Sequence, residues 1–472
     1  MARGHVNNSI LDGALGVQPA ASTGIFGAVG VAAAGYGQGI LILTTAADAQ
    51  EKLLAGPLRD LIVSALSLAN TTVYAVPLLG TVDGVVSAVL KAAASTGTGS
   101  MTVAGLPRND YDVSVEIKSS GGLNEASAVV TVDGIPSARF TIAEDGQYVI
   151  AGTGLTLTFV AGAEGISFAA GDVFTFSTSA PAATNAELLA GIDTLLESSY
   201  AFEWIAVAGI TDAAMWAALA TKATGAEAFY RYIHFKAQAR YLDEGETIDQ
   251  WVAALTGDER GLTVGGRVQV YAAYLLQADP FGATDVRGAI GLACGMSARR
   301  DVQEPVDAVR NGSVSGVVKL LPEGINGGHI DALDNAGYAT LTTYIGLTGA
   351  YITHGRMFAE GTSDYGLEER RRVMDLACHR IRTAQLMYLN DTVSIAADGS
   401  MEGIEMFKAI SQQVLNDMAA AGQISAGEIE IDPNQNILST ETIETRVKIV
   451  PLGKMTFIEN VISYANPVLE EE

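Results

Sequence analysis

Positive charge is scarce in this chain of 472 residues: 28 Lys and Arg stand against 53 Asp and Glu, a formal charge of −25. Phosphate backbones are bound by clustered cations, so nucleic acid is not an expected partner. Charge of either sign is sparse, at 17% of residues against roughly 25% in ordinary globular domains. A neutral surface of that kind suits a subunit covered on several sides by neighbours. The two cysteines, Cys294 and Cys378, are too few for a disulfide framework and read as reduced thiols in a cytosol-assembled protein. The five histidines, His5, His234, His329, His354 and His379, form neither HExxH nor HxxxH. Cys378 and His379 are adjacent and would point to different sides of a helix, so no zinc set is expected. No GxSxG elbow is present, and the acidic run Asp243-Glu244-Gly245-Glu246 lacks the closing spacing of a calcium loop and reads as solvated. No catalytic residue, metal ligand or cofactor is expected.

The longest uncharged stretch, GIFGAVGVAAAGYGQGILIL (Gly24 to Leu43), is long enough to cross a bilayer. Its many glycines weaken a helix, by about 1 kcal/mol each against alanine, and no Lys or Arg flanks it closely. A secretion signal is not expected either, because no basic region leads into it. Gly35 to Gly39 reads GxGxG rather than GxGxxG, and no lysine precedes Lys52, so neither dinucleotide loop nor P-loop fits. What fits is a strand, a glycine turn and a second strand, with Thr44 or Thr45 capping a helix that ends at Gly56. An unbroken apolar strand implies burial on both faces, as in a sheet covered by helices.

The expected class is α+β and multidomain. Residues 1–20 read as an N-terminal arm, with only Val6, Ile10 and Leu15 as apolar spots. Residues 21–94 are the first part of an α/β core. From Met101 to Ser179 only Arg108, Lys118 and Arg139 are basic, and strand follows strand (YDVSVEIK, SAVVTVDG, RFTI, QYVI, LTLTFV, VFTFST). Residues 95–182 are therefore expected to be an inserted all-β domain. The strand–helix rhythm then returns over 183–304. FYRYIHFKA and GRVQVYAAYLL are expected as strands and TDVRGAIGLACGMSARR as a helix, in a mainly parallel covered sheet. Residues 305–439 form a C-terminal domain with two longer helices, and 440–472 a strand-rich arm. Arg370-Arg371-Arg372 is the one dense basic run. Two readings stand: a solvated helix face paired with Glu368 and Glu369, or a docking face for an acidic partner.

The segment Gly349-Ala350-Tyr351-Ile352-Thr353-His354-Gly355-Arg356, reached through an "L-x-x-A-G" element, resembles the late region of contractile-tail sheath proteins. The closing order is similar too: a helix ending in Ala421-Gly422-Gln423-Ile424, then EIEIDPNQN, then a strand ending in Val-Pro-Leu and a last strand. The opening, a core strand, a glycine turn and "ILTTAADA" before the first helix, fits as well. The likeness spans roughly residues 21–92 and 185–466; the inserted domain lies outside it, and residues 305–325 depart from the pattern.

The resemblance implies a structural subunit that polymerises with itself as stacked hexameric rings around an inner tail tube protein, with baseplate and tail terminator proteins as further partners. It implies neither cofactor nor membrane insertion, and a place in a virion tail or tail-like injection machine assembled in the bacterial cytoplasm. Terminal arms would add strands to neighbours' sheets, through Val6, Ile10, Leu15, Val447, Ile449, Phe457, Ile458, Val461, Ile462 and Tyr464. Contraction would switch between two packings of rigid bodies. Tube-facing candidates are Lys408, on a late helix, and Arg370, Arg371 and Arg372, which could equally tie subunit to subunit. Another self-assembling or surface protein, or an α/β enzyme with a β insertion, would share the rhythm; the enzyme would need convergent polar groups at strand ends.

Overall fold

The computed structural model describes residues 23–163, 165–261, 265–397 and 400–464. The expected arm residues Val6, Ile10 and Leu15 lie outside them. Compact units form from residues 1–379 and from 380–472.

The first unit opens with β1 (Phe26–Val31), β2 (Leu41–Leu43), α1 (Ala46–Leu53), α2 (Pro57–Leu66) and β3 (Val73–Leu78). Thr45 supplies the N-cap of α1, its side chain accepting from the Asp48 N–H. All six residues of β1 are buried. The strand sits between two parallel neighbours, pairing Phe26 with Val73 on one side and with Trp204 on the other. Its glycines have a packing reason. A Cβ on Gly27 would lie 2.8 Å from a Leu195 methyl, and one on Gly30 would lie 2.6 Å from the Ala208 Cβ. The first strand of the uncharged stretch is core, its glycine turn from Tyr36 to Gly39 is exposed, and among the described residues no helix is long and apolar enough to cross a membrane.

A β module follows, with β4 (Leu90–Lys91), β5 (Ser100–Gly105), β6 (Tyr111–Ser119), β7 (Ser127–Val132), β8 (Ile135–Pro136), β9 (Phe140–Thr141), β10 (Gln147–Ile150), β11 (Leu155–Val160) and β12 (Val173–Thr178). One sheet runs β10-β11-β5 and the other β4-β12-β6-β7-β8, with β9 on β7. Their facing side chains, Val115, Ile117, Leu157, Phe159 and Phe174 among them, make a separate core. The module is closed by bridges from Val82 to Ala182 and from Val86 to Thr178. It therefore begins before the composition shift near residue 95, because its first strand pair lies in an apolar stretch that reads like core.

The α/β rhythm resumes with α3 (Asn185–Leu196), β13 (Trp204–Ile210), α4 (Ala213–Ala228), β14 (His234–Gln238), α5 (Ile248–Thr256) and β15 (Val268–Tyr271). These complete a six-stranded sheet, β15-β14-β13-β1-β3-β2, parallel except for β2 against β3. Residues of α1, α2 and the later α6 build the core on one face; those of α3, α4 and α5 build it on the other. Three expectations here are corrected. FYRYIHFKA is strand only from His234, Phe229 being the C-cap of α4. GRVQVYAAYLL breaks after Tyr271, and its second half is β16 (Tyr274–Ala278), which leaves the parallel sheet. Thr284–Gly288 is a strand, β17, not the start of a helix; α6 begins at Ile290 and ends at Ala298. The antiparallel sheet β17-β16-β18 is completed by β18 (Val317–Leu321). Then come α7 (Gly327–Asn335), the pair β19 (Leu341–Thr342) and β20 (Tyr351–Ile352), and α8 (Glu368–Gln385). Tyr271 bridges Ala339, so the stretch expected to open a new domain at residue 305 belongs to the first unit.

In the second unit, β21 (Ser394–Ile395) pairs β22 (Met401–Glu402), and α9 (Ile404–Ala420) packs on the hairpin of β23 (Ala426–Glu430) and β24 (Arg446–Val450). The apolar run 454–464, expected as a last strand, forms no strand in the subunit.

Candidate functional site

The convergent polar groups that an enzyme would display resolve into a buried anchor for α8. Glu368, Arg371, Arg372 and Asp375 recur at helical spacing, so they share a face. The Lys236 Nζ on β14 donates to the Glu368 Oε1 at 2.7 Å and to Ser297, and the Gln269 amide donates to the Glu368 Oε2 at 3.1 Å. The Arg372 Nη2 donates to the Glu203 Oε2 at 3.1 Å, and the Arg267 Nη1 to both Asp375 oxygens at 3.0 and 3.1 Å. Arg371 donates to the carbonyls of Gly265 and Gly266 and stacks 3.8 Å from the Tyr365 ring centroid. Burial pushes the Glu368 carboxyl up, but Lys236 and Arg372 outweigh it and hold the pKa at about 2. Asp375 goes the other way, to about 6, because burial exceeds the pull of Arg267 and Arg371. These pairs bond to one another inside the unit, and Glu203, Arg372 and Asp375 also border a cavity of about 220 Å³.

The basic run is therefore corrected. Arg371 and Arg372 are buried and committed inside the subunit, and only Arg370 is exposed. A run of three arginines reads as solvated surface because the partners lie far away in sequence, Glu203 being 169 residues from Arg372. The detectable signal was the period of Glu368, Arg372 and Asp375. The described histidines are likewise structural where their contacts are resolved. His234 is fully buried, and burial, followed by the adjacent Lys236, drives its pKa well below the usual value and keeps it neutral. His329 and His354 meet Asp249 and Asp334, each at 2.8 Å. Among the described residues no group of three or more His, Cys, Asp or Glu could hold a metal.

A second cluster lies where the β module meets the core, around a cavity of about 540 Å³ lined in part by Arg59, Asp60, Asn109, Asp133, Asp279 and Arg287. The Thr284 N–H donates to the Asp133 carbonyl at 2.9 Å, and the Asn109 amide donates to Asp60 at 2.7 Å. The Arg59 and Arg287 guanidiniums share Asp60 and Asp279. Carboxylates outnumber cations here. Burial, then the neighbouring Asp133, pushes Asp285 up to about 8; burial pushes Asp133 up to about 6.

The expected arm residues divide in two. Val447 and Ile449 sit in β24, opposite Ile429 and Gly427 of the same subunit. Phe457, Ile458, Val461, Ile462 and Tyr464 are 75–105% exposed. Lys408 is half-buried on α9, near Glu430, which Lys448 already holds.

This architecture has known counterparts. The chain superposes on the sheath complex of an extracellular contractile injection system, PVC, in its contracted state, with a TM-score of 0.54, 11% identity, and 99% of this chain and 98% of that one covered. It superposes similarly on a chain of the anti-feeding prophage baseplate in its contracted state (TM-score 0.51, 13% identity, 99% and 98% covered). A sheath tail protein from Desulfitobacterium hafniense gives a TM-score of 0.48 at 15% identity, covering 95% of this chain and 100% of that one. The fold is that of contractile sheath subunits. Residues 3–356 match the family described as DUF2586, N-terminal domain, and residues 364–469 match DUF2586, C-terminal domain; the chain belongs to the DUF2586 family. A search of curated proteins finds no match.

Proposed function

We propose that this chain is the structural subunit of a contractile sheath, polymerising as stacked hexameric rings around an inner tube and contracting to drive that tube through a target envelope. The observation that carries the reading is the fold likeness over 99% of the chain to a sheath complex. The exposed apolar run from Phe457 to Tyr464 supports it, since a subunit that leaves such a run uncovered invites a second chain. On this reading the terminal arms add strands to neighbouring subunits, and the flexible links let the rigid cores slide while the donated strands stay paired. The extended stack is metastable, and interface formation supplies the work of contraction. Partners are further copies of the chain, the tube protein, and the baseplate and terminator proteins that cap the ends. The setting is a phage tail or a related injection machine. Negative-stain microscopy of the purified full chain tests this: tubes with a cogwheel cross-section are expected, and a monodisperse monomer at high concentration would sink the reading.

A further inference from the structure

The parallel sheet reverses its chain direction in the middle. From β1 the chain crosses by α1 and α2 to β3 on one side; β13, on the other side of β1, continues by α4 to β14 across the opposite face. In open parallel sheets a crevice forms at such a point, beyond the carboxyl ends of the two strands. Here it is a cavity of about 280 Å³, bordered by Val31 at the end of β1 and by Ala208, Gly209 and Ile210 at the end of β13. The β module contributes Asn109 and Asp110 to it, and β17 contributes Asp285 and Arg287.

Much of the polar wall is already committed. The Gln238 amide donates to the Tyr271 and Ala273 carbonyls at 3.0 and 3.2 Å and accepts from the Ile290 N–H at 3.3 Å. The Tyr274 hydroxyl donates to the Ala239 carbonyl at 2.6 Å. Arg287 differs. It is only 8% exposed, yet its Nε and Nη1 have no hydrogen-bond partner among the described residues. Its Nη2 lies 3.5 Å from Asp60 and 3.7 Å from Asp279. A buried donor left unmet is costly, so an acceptor belongs beside this guanidinium.

Charge narrows what that acceptor is. Asp60 is met by Arg59 and by the Asn109 amide. Burial, then the neighbouring Asp133, keeps the Asp285 carboxyl protonated at neutral pH. One oxygen of Asp110 accepts from the Ala180 N–H, which leaves the other. An anion would suit Arg287 and be repelled by Asp110, and a cation would do the reverse. A hydroxyl group both accepts and donates, so it serves both. Leu61, Leu188 and Ile290 give the cavity an apolar side for C–H faces.

We propose that this crevice binds one neutral polyhydroxyl molecule of monosaccharide size, whose hydroxyls accept from Arg287 and donate to Asp110. Arg287 belongs to the core and Asp110 to the β module, so an occupied site ties the two together. Binding needs a single subunit only, and is independent of polymerisation.

Calorimetric titration of the full chain at neutral pH tests the site and its charge preference. The neutral probes are D-glucose and myo-inositol; D-glucuronate and D-glucosamine keep the glucose ring and add a charge of either sign. Saturable binding of at least one neutral probe is expected, with both charged sugars at least about tenfold weaker. Heat that never saturates with either neutral probe means a cavity filled by water only, and overturns the proposal. Glucuronate or glucosamine binding as tightly as the neutral probe overturns the ligand class. Arg287→Lys keeps a charge facing Asp60 and Asp279 but loses the guanidinium donors, and should weaken binding at least about tenfold. Ile210→Trp, at a rim position 64% exposed, should melt as wild type and bind as weakly, because the larger ring narrows the mouth. If Arg287→Lys does not fold, Ile210→Trp decides alone. Wild-type affinity in Ile210→Trp, or in a folded Arg287→Lys, puts the sugar elsewhere and refutes the site.

Discussion

Phe26–Val31 and Met455–Tyr464 are both apolar-rich runs near an end of the chain, and their fates are opposite. Every residue of the first is buried, whereas in the second Phe457 is 85% and Ile462 91% exposed. The first has a parallel strand on each edge and helices packed on both faces. The second has none of these. Hydrophobicity sets how much is gained on burial, about 25 cal/mol per Å² of apolar surface; the fold decides whether the gain is realised within one chain or between chains.

The largest effect expected from this contrast is all-or-none. Deleting residues from Lys454 onward removes a segment whose large apolar side chains, Met455, Phe457, Ile458, Val461, Ile462 and Tyr464, are exposed, so the subunit should stay soluble and melt as wild type while polymerisation is lost. Sedimentation and negative-stain images check both halves. Tubes from the truncated chain would mean the exposed run is not an assembly element.

The next effect is on the buried side of the comparison. Lys236→Met leaves the Glu368 carboxylate buried without its cation, which should cost about 3–5 kcal/mol in denaturant unfolding. Adding Glu368→Leu should recover most of that loss. A single variant within about 1 kcal/mol of wild type would show that the pair does not anchor α8.

How much of this was legible follows the same division. β1, the helix cap at Thr45 and the run of strands in the module were readable, because period and cap chemistry are local. The anchor was not. Lys236 and Glu368 are 132 residues apart, and the local period of Glu368, Arg372 and Asp375 marks a shared helix face without naming the buried partner. The break after Tyr271 was hidden for another reason: β15 and β16 are both apolar, and only the change of sheet separates them. Arg371 and Arg372 were misplaced because a like-charge run normally faces solvent.

A smaller effect separates matched from unmatched buried charge. Around α8, Glu203, Glu368 and Asp375 each meet a cation; at the module joint Asp133 and Asp285 exceed the arginines available. Both hold their protons in the folded joint, at about pH 6 and 8, where the unfolded chain, with Asp near 3.9, has released them. Their protonated forms therefore stabilise the fold at low pH, and this contribution is lost as pH rises through 6 and on through 8. The loss should be on the order of 1 kcal/mol per pH unit for each carboxyl between the unfolded value near 3.9 and its folded value, and should level off above that. Asp285→Asn should flatten unfolding curves measured between pH 6 and 9. An unchanged slope in that variant would place the pH dependence elsewhere.

The smallest effect concerns the surface that would hold a tube loosely. With Arg371 and Arg372 buried, the comparison narrows to Lys408 and Arg370. Exposed ion pairs contribute about 0–1 kcal/mol each and are screened by salt, which suits a contact that must release in contraction, since many weak contacts add up around a ring yet none is hard to break. Lys408 lies near Glu430, whose charge Lys448 already meets, so its own charge is not needed inside the subunit. Lys408→Glu should therefore leave self-assembly intact and lower loading on purified tubes by a few-fold, most at low salt. Arg370→Glu, on the one exposed arginine of the run, should instead weaken subunit association, read as a higher concentration needed for tubes to form. If Lys408→Glu weakens self-assembly and Arg370→Glu weakens loading, the two roles are exchanged; if both variants assemble and load as wild type, neither residue is a contact, and the tube is held by neutral surface.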